Sequence, residues 1–277
     1  MRLLTRRHLL PGFGLSLGTS LFFTCLIIIL PISALILQLS HLSVEQYWQI
    51  ITQPQLMHAY KVTILCAAAA SLFNACFGLL MAFILSRYRF FGRNLLDSLI
   101  DLPFALPTAV AGLTLADLFS TTGWYGQWLH HYGITITFTW AGIAIAMAFT
   151  SIPFVVRSVQ PVLESLGPEY EEAARTLGAS RWQCFRKVVL PELTPSLLAG
   201  TTLSFTRSLG EFGAVIFIAG NIAWKTEVVS LLIFVRQQEF DFAASSAIAS
   251  VIMISCLLLL GIINLLQSRA GRRVGAL

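Results

Sequence analysis

Residues 62–86 read VTILCAAAASLFNACFGLLMAFILS, a run without a single Lys, Arg, Asp or Glu. A helix needs about 20 apolar residues to cross the hydrocarbon core of a bilayer, and this run exceeds that. Residues 13–39, 118–156 and 242–268 are equally free of charge. In hydrocarbon every backbone amide must find its partner inside the chain, so such runs have to be helical. Composition agrees: of 277 residues 56% are hydrophobic and 11% charged, against roughly 25% charged in a soluble domain. A soluble surface needs more charge than this. The chain reads as an all-α, polytopic membrane protein with one transmembrane domain over 1–277.

Working outward, the apolar pattern predicts six helical spans, at about 13–38, 62–86, 98–120, 139–162, 195–219 and 243–267. Between the third and fourth, Trp124, Tyr125, Trp128 and Tyr132 crowd a stretch that suits the lipid–water interface, read as a loop with a short surface helix. Thirteen basic residues fall on one side: Arg2, Arg6, Arg7, Arg87, Arg89, Arg93, Arg175, Arg181, Arg186, Lys187, Arg269, Arg272 and Arg273, with Arg157 a possible fourteenth. The other side has Lys61, Lys225 and Arg236. The positive-inside rule then places both termini in the cytoplasm, and an even number of spans agrees. The net charge of +5 is thus a topology signal and requires no nucleic acid. Thr5-Arg6-Arg7-His8-Leu9-Leu10 resembles a twin-arginine signal, but the apolar run behind it is about twice the length of a signal core, so it is read as a retained first helix. The five cysteines lack C-x-x-C spacing and indicate neither disulfide nor metal. No tandem repeat at solenoid periods is present.

The longest cytoplasmic loop of this arrangement, 164–192, carries dense local signals. Pro168 suits a first helical turn, and Glu169, Glu171 and Glu172 follow at the positive end of the helix dipole. Gly178 is placed as a left-handed C-cap. Ser180 and Gln183 form a capping box that opens a second helix, expected to stop at Pro191. A helix-turn-helix DNA reader has a similar outline. The loop, however, is tethered at both ends to spans and has five Glu against four basic residues, with no basic stripe for phosphates.

The order Glu172-Ala173-Ala174, Gly178, Val188, Leu190-Pro191 resembles the EAA loop of ABC importer permeases, with Val188 where that family has Ile. Three further stretches, 101–112, 149–157 and 204–214, resemble the sulfate/molybdate branch of these type I permeases. Across nearly its full length the chain is similar to sulfate/thiosulfate importer permeases, with molybdate or another oxyanion the alternative cargo. The resemblance implies a bacterial inner-membrane location and coupling to ATP through the loop residues just named. It also implies three partners: a second homologous permease, a cytoplasmic ABC ATPase dimer, and a periplasmic sulfate/thiosulfate-binding protein.

The chemistry that other functions need is missing from the sequence. None of the three lysines follows a glycine, so a phosphate-binding G-x-x-x-x-G-K-[ST] loop is impossible. No H-E-x-x-H occurs, and no cofactor or metal is expected. Gly14-Leu15-Ser16-Leu17-Gly18 matches G-x-S-x-G, which keeps an intramembrane serine hydrolase as an alternative, although the motif falls inside a helical span. A passive channel would need polar rings along several spans. Ionisable residues inside spans each invite a hypothesis. Asp101 and Asp117 are read as interfacial hydrogen-bonding groups. Pro103, Pro107 and Gly112 should kink or loosen their span. Arg207 and Glu211, four residues apart on one helix face, read either as a structural ion pair or as a lining of the anion path.

Overall fold

A computed structural model describes residues 13–274; the Thr5–Leu10 stretch and its signal-like arginines lie outside these. The described residues are almost entirely helical. We number the helices α1 (Phe13–Leu39), α2 (Val44–Ile51), α3 (Pro54–Arg87), α4 (Arg93–Ala105), α5 (Thr108–Leu118), α6 (Trp124–His131), α7 (Trp140–Ser165), α8 (Pro168–Thr176), α9 (181–209), α10 (Gly213–Ala219), α11 (Val229–Gln238) and α12 (Phe242–Val274).

The centre is formed by α3, α7 and α9. Small residues let their backbones approach closely. A Cβ on Gly78 of α3 would sit 2.9 Å from the Val155 side chain, and one on Gly200 of α9 would sit 2.9 Å from the Val155 Cα. Val155 on α7 is therefore held between two glycines. At the same contact Asn74 Nδ2 donates to Ala148 O (3.0 Å), Ser151 Oγ (2.9 Å) and Ser204 Oγ (3.1 Å), which ties the three helices together by polar bonds inside an apolar core.

Helices α3 and α7 run parallel. His58, near the start of α3, packs its ring against Trp140 at the start of α7, while Arg87 at the end of α3 reaches Leu166 O just past the end of α7. Residues 88–139 must therefore return from one end of the bundle to the other, and α4 with α5 makes that return.

Among the described residues four helices are long and apolar enough to cross a membrane: α1, α3, α7 and the Phe242–Ile262 part of α12. Two expected continuous spans are broken. The one at 98–120 is the α4–α5 pair, bent by 111°. Pro107 cannot donate a helical hydrogen bond, and Leu106 before it is extended (φ −81°, ψ 135°), as a residue preceding proline prefers. Pro103, by contrast, is carried inside α4. The span at 195–219 divides at 210–212 into α9 and α10. The aromatic stretch forms the short helix α6 as expected, with Trp124, Trp128 and Tyr132 exposed. Helix α1 has no buried residue at all.

Coupling loop and intramembrane charges

Helix α8 begins at Pro168 and ends in the left-handed turn at Gly178 (φ +84°). The Ser180–Gln183 capping box is formed in both directions, with Ser180 N donating to Gln183 Oε1 at 2.8 Å and Gln183 N to Ser180 Oγ at 3.3 Å. The expected stop at Pro191 is not observed. Residues 181–209 form one helix that passes through Pro191 by way of a π-helical turn at Phe185–Val189. Leu190 N donates to Phe185 O, five residues back, and this extra residue shifts the ladder so that the missing proline N–H is not needed. The same device occurs in α1, where a π-helical turn at Cys25–Ile29 precedes Leu30-Pro31.

The loop is fixed to the bundle through Arg87. Its Nη2 lies 2.9 Å from Glu171 Oε1 and donates to Leu166 O at 2.9 Å. Glu171 thus turns inward, whereas Glu172 and Ala173 beside it are exposed, as are Gly178 and Pro191. Ala174, Val188 and Leu190 are half-buried. Tyr170, Leu177 (88% exposed) and Trp182 add an apolar rim around the turn. The result is a two-helix projection with an exposed apolar tip, its Trp182 ring stacked on Phe185.

Arg207 and Glu211 are brought together as an ion pair, Nη1 to Oε2 2.7 Å, with the arginine side chain 35% exposed and the glutamate 1%. Glu211 does more than pair. Its Oε1 accepts from Ala214 N at 3.0 Å, which caps the start of α10, and its carbonyl accepts from Ser230 Oγ at 2.7 Å. The break at 210–212 is thus pinned by the same carboxylate that holds Arg207. On the other side, α10 presses on α5 so closely that a Cβ on Gly112 would overlap the Ala214 backbone.

Asp101 is not an isolated interfacial group. Arg157, in the interior of α7, donates through Nε to Asp101 Oδ1 (2.8 Å) and through Nη2 to Asp101 Oδ2 (2.5 Å), while Nη1 donates to Asp97 Oδ1 (2.7 Å). It is therefore a clamp between α7 and α4. Arg157 and Asp101 lie 56 residues apart, so the pairing leaves no local spacing signal in the sequence. Asp117 is exposed near the end of α5. Ser16 lies within helix α1, not on the strand-to-helix turn a nucleophile elbow requires. All five cysteines are free, and the described residues contain no cluster able to hold a metal.

Residues 74–275 match the model of the binding-protein-dependent transport system inner membrane component. The chain belongs to this family. It is 73% identical over 268 residues to the sulfate transport system permease protein CysT of Escherichia coli K12, covering 97% of each chain. It is 45% identical over 254 residues to CysT of Synechocystis sp., covering 92% of this chain and 88% of that one. Among solved structures, a chain of a bacterial ABC transporter that imports alginate superposes with a TM-score of 0.77 at 18% identity, covering 93% of this chain and 94% of that one. The same transporter bound to an alginate-loaded periplasmic protein gives 0.76 at 19% identity. At those identities the likeness establishes a shared ABC importer permease fold. As an inner-membrane component the chain is a permease and not an enzyme: the family's description assigns it to the membrane part of a transport system.

Proposed function

We propose that this chain is the membrane-spanning subunit of an ATP-driven importer that carries sulfate, and its isostere thiosulfate, into the cytoplasm. The observation that carries the cargo is the 73% identity, end to end, with a sulfate transport permease. The observation that supports the mechanism is the two-helix projection. Its exposed Glu172, Ala173 and Gly178 and the apolar rim of Tyr170, Leu177 and Trp182 offer a docking tip for a cytoplasmic ATPase dimer. Arg87 and the continuous helix 181–209 connect that tip to the bundle centre, so a movement of the tip is transmitted to Arg207 and the α9–α10 break. Ala174, Val188, Leu190 and Pro191 set the register of that connection.

A second homologous permease completes the pathway, and a periplasmic sulfate/thiosulfate-binding protein delivers the anion at the end where Trp140 and Lys225 lie. Both termini are cytoplasmic in this arrangement. Arg207 offers guanidinium donors to oxyanion oxygens, and its partner Glu211 makes the pair formally neutral, which suits an ion that must leave as readily as it enters. Uptake of labelled sulfate, thiosulfate and molybdate in a strain lacking this chain, with and without its return on a plasmid, tests the cargo. Restored uptake of sulfate and thiosulfate is expected; restoration of molybdate uptake alone would replace the assignment.

A further inference from the structure

At the end of the bundle opposite the coupling loop, Ser120, Thr121, Thr135, Thr137, Thr139 and Lys225 line a cavity of about 310 Å³. Ala116 and the Phe138 ring complete the lining, so five hydroxyls and one ammonium are set among apolar surface. The Ser120 and Thr139 hydroxyls donate to backbone carbonyls, of Asp117 at 2.8 Å and Ile136 at 2.6 Å. Thr121, Thr135, Thr137 and the Lys225 ammonium hold no hydrogen bond or ion pair among the described residues. Thr121, Thr135 and Lys225 are exposed and Thr137 is half-buried, so these four groups face solvent and can exchange water for a ligand.

One lining residue, Phe138, and two residues of the neighbouring 220–226 turn that carries Lys225 have left-handed backbone. Phe138 (φ 60°), Asn221 (φ 45°) and Trp224 (φ 62°) are non-glycine residues in the left-handed region, a conformation that persists only where surrounding bonds impose it. Those bonds are present. Phe138 N donates to Ile218 O at 2.8 Å, Trp140 Nε1 to Lys225 O at 2.6 Å, and Trp224 N to Glu227 Oε2 at 3.0 Å. Gly220 is required at its place because a Cβ there would overlap the Phe138 ring. The nearby carboxylate of Glu227 accepts from Trp224 N at 3.0 Å and from Gln55 Nε2 at 2.6 Å; it keeps its charge but forms no ion pair with Lys225 among the described residues.

We propose that this cavity is an oxyanion-holding site at the outer mouth of the permease, in which Lys225 and the hydroxyls of Thr121, Thr135 and Thr137 receive a tetrahedral dianion before it enters the bundle. The proposal rests on the reading of the chain as an oxyanion permease. Hydroxyls donate to oxyanion oxygens without adding charge, and an ammonium is a hydrated point charge, not a bidentate fork. Such a site attracts a dianion but grips it lightly, as a way-station must.

The test uses the assembled transporter in vesicles, carrying Thr135→Cys or Thr137→Cys, with the native-cysteine transporter as background. Small anionic and cationic thiosulfonate reagents are added from the outside. The anionic reagent should react at least about fivefold faster, the effect of one unit charge a few ångströms away. Millimolar sulfate should slow it, and Lys225→Gln should remove both the preference and the protection. Equal rates with both reagents, or protection that survives Lys225→Gln, would overturn the site. So would protection that follows the anionic-lipid content of the vesicle and ignores sulfate, since the cavity would then hold a lipid phosphate. Sulfate uptake is measured in the same vesicles. Intact uptake without protection removes the site alone, whereas absence of sulfate uptake by the unsubstituted transporter removes the cargo assignment.

Discussion

The Arg207–Glu211 pair shows how one residue can carry two roles that a spacing rule cannot separate. The four-residue interval was enough to predict the contact. It could not reveal that Glu211 caps α10, because that role depends on the chain break at 210–212. Reversing the pair is consequently a poor test: Arg at 211 would place donors beside the Ala214 N–H, which needs an acceptor. Arg207→Gln alone should lower abundance sharply, since stripping the partner from a carboxylate that is 1% exposed leaves a buried charge, a loss of about 3–5 kcal/mol. Arg207→Gln with Glu211→Gln keeps an acceptor for Ala214 and removes both charges, so abundance should recover. Sulfate uptake then decides between the readings: transport by the double variant at normal abundance makes the pair structural, and its loss places Arg207 on the path. Gly178 offers a simpler case. A Cβ there meets nothing within 4 Å, so any penalty comes from φ +84° and not from crowding. Gly178→Asn should therefore couple better than Gly178→Val, which loses about 1–2 kcal/mol in the left-handed region. Equal ATPase co-purification and uptake for the two variants would remove the backbone argument.

At the scale of elements, a signal is legible in the sequence where it is completed locally. The cap at Gly178, the Ser180–Gln183 box, the Pro168 start and the short α6 helix all depend on residues within a few positions of one another. Prolines were harder, because each has two outcomes. Pro107 ends a helix, while Pro191 is carried through because the π-helical turn before it shifts the hydrogen-bond ladder. The clamp between α4 and α7 was not legible at all, since Arg157 meets Asp97 and Asp101 only after the chain has turned at Pro107 and returned through α7. Its energetics are testable. The three side chains are between 31% and 46% exposed, so water screens part of the attraction. Arg157→Gln should cost about 1–2 kcal/mol, read as a lowered melting temperature of the purified complex. Adding Asp101→Asn should cost little more, because its partner is already gone. A double-mutant cycle with simply additive effects would mean that the clamp contributes no coupling.

At the scale of the whole molecule, the absence of charge from long runs was sufficient for the class of fold, because hydrocarbon tolerates few other structures. It could not show that two of the expected spans are broken, since a bend at Pro107 leaves composition unchanged. That break raises a question the sequence did not: a pair of helices bent by 111° can cross a membrane or dip into it and return on the same side. The parallel course of α3 and α7 requires the chain between them to return to the opposite end of the bundle. Their first residues share one end of the bundle, with His58 against Trp140, and Arg87 and Leu166 share the other. A re-entrant pair would leave the chain at the wrong end to begin α7. Alkaline phosphatase, active only outside the cytoplasm, turns this into an observation. Fusions after Gln53 and Tyr132 should be active, and fusions after Arg93 and Ser180 inactive, with at least about tenfold between the groups once corrected for abundance. An inactive Tyr132 fusion beside an active Gln53 fusion would make α4–α5 re-entrant and contradict the bundle geometry. An active Ser180 fusion would put the coupling loop outside, away from any ATPase, and would remove the transport reading together with the orientation that the thirteen basic residues imply.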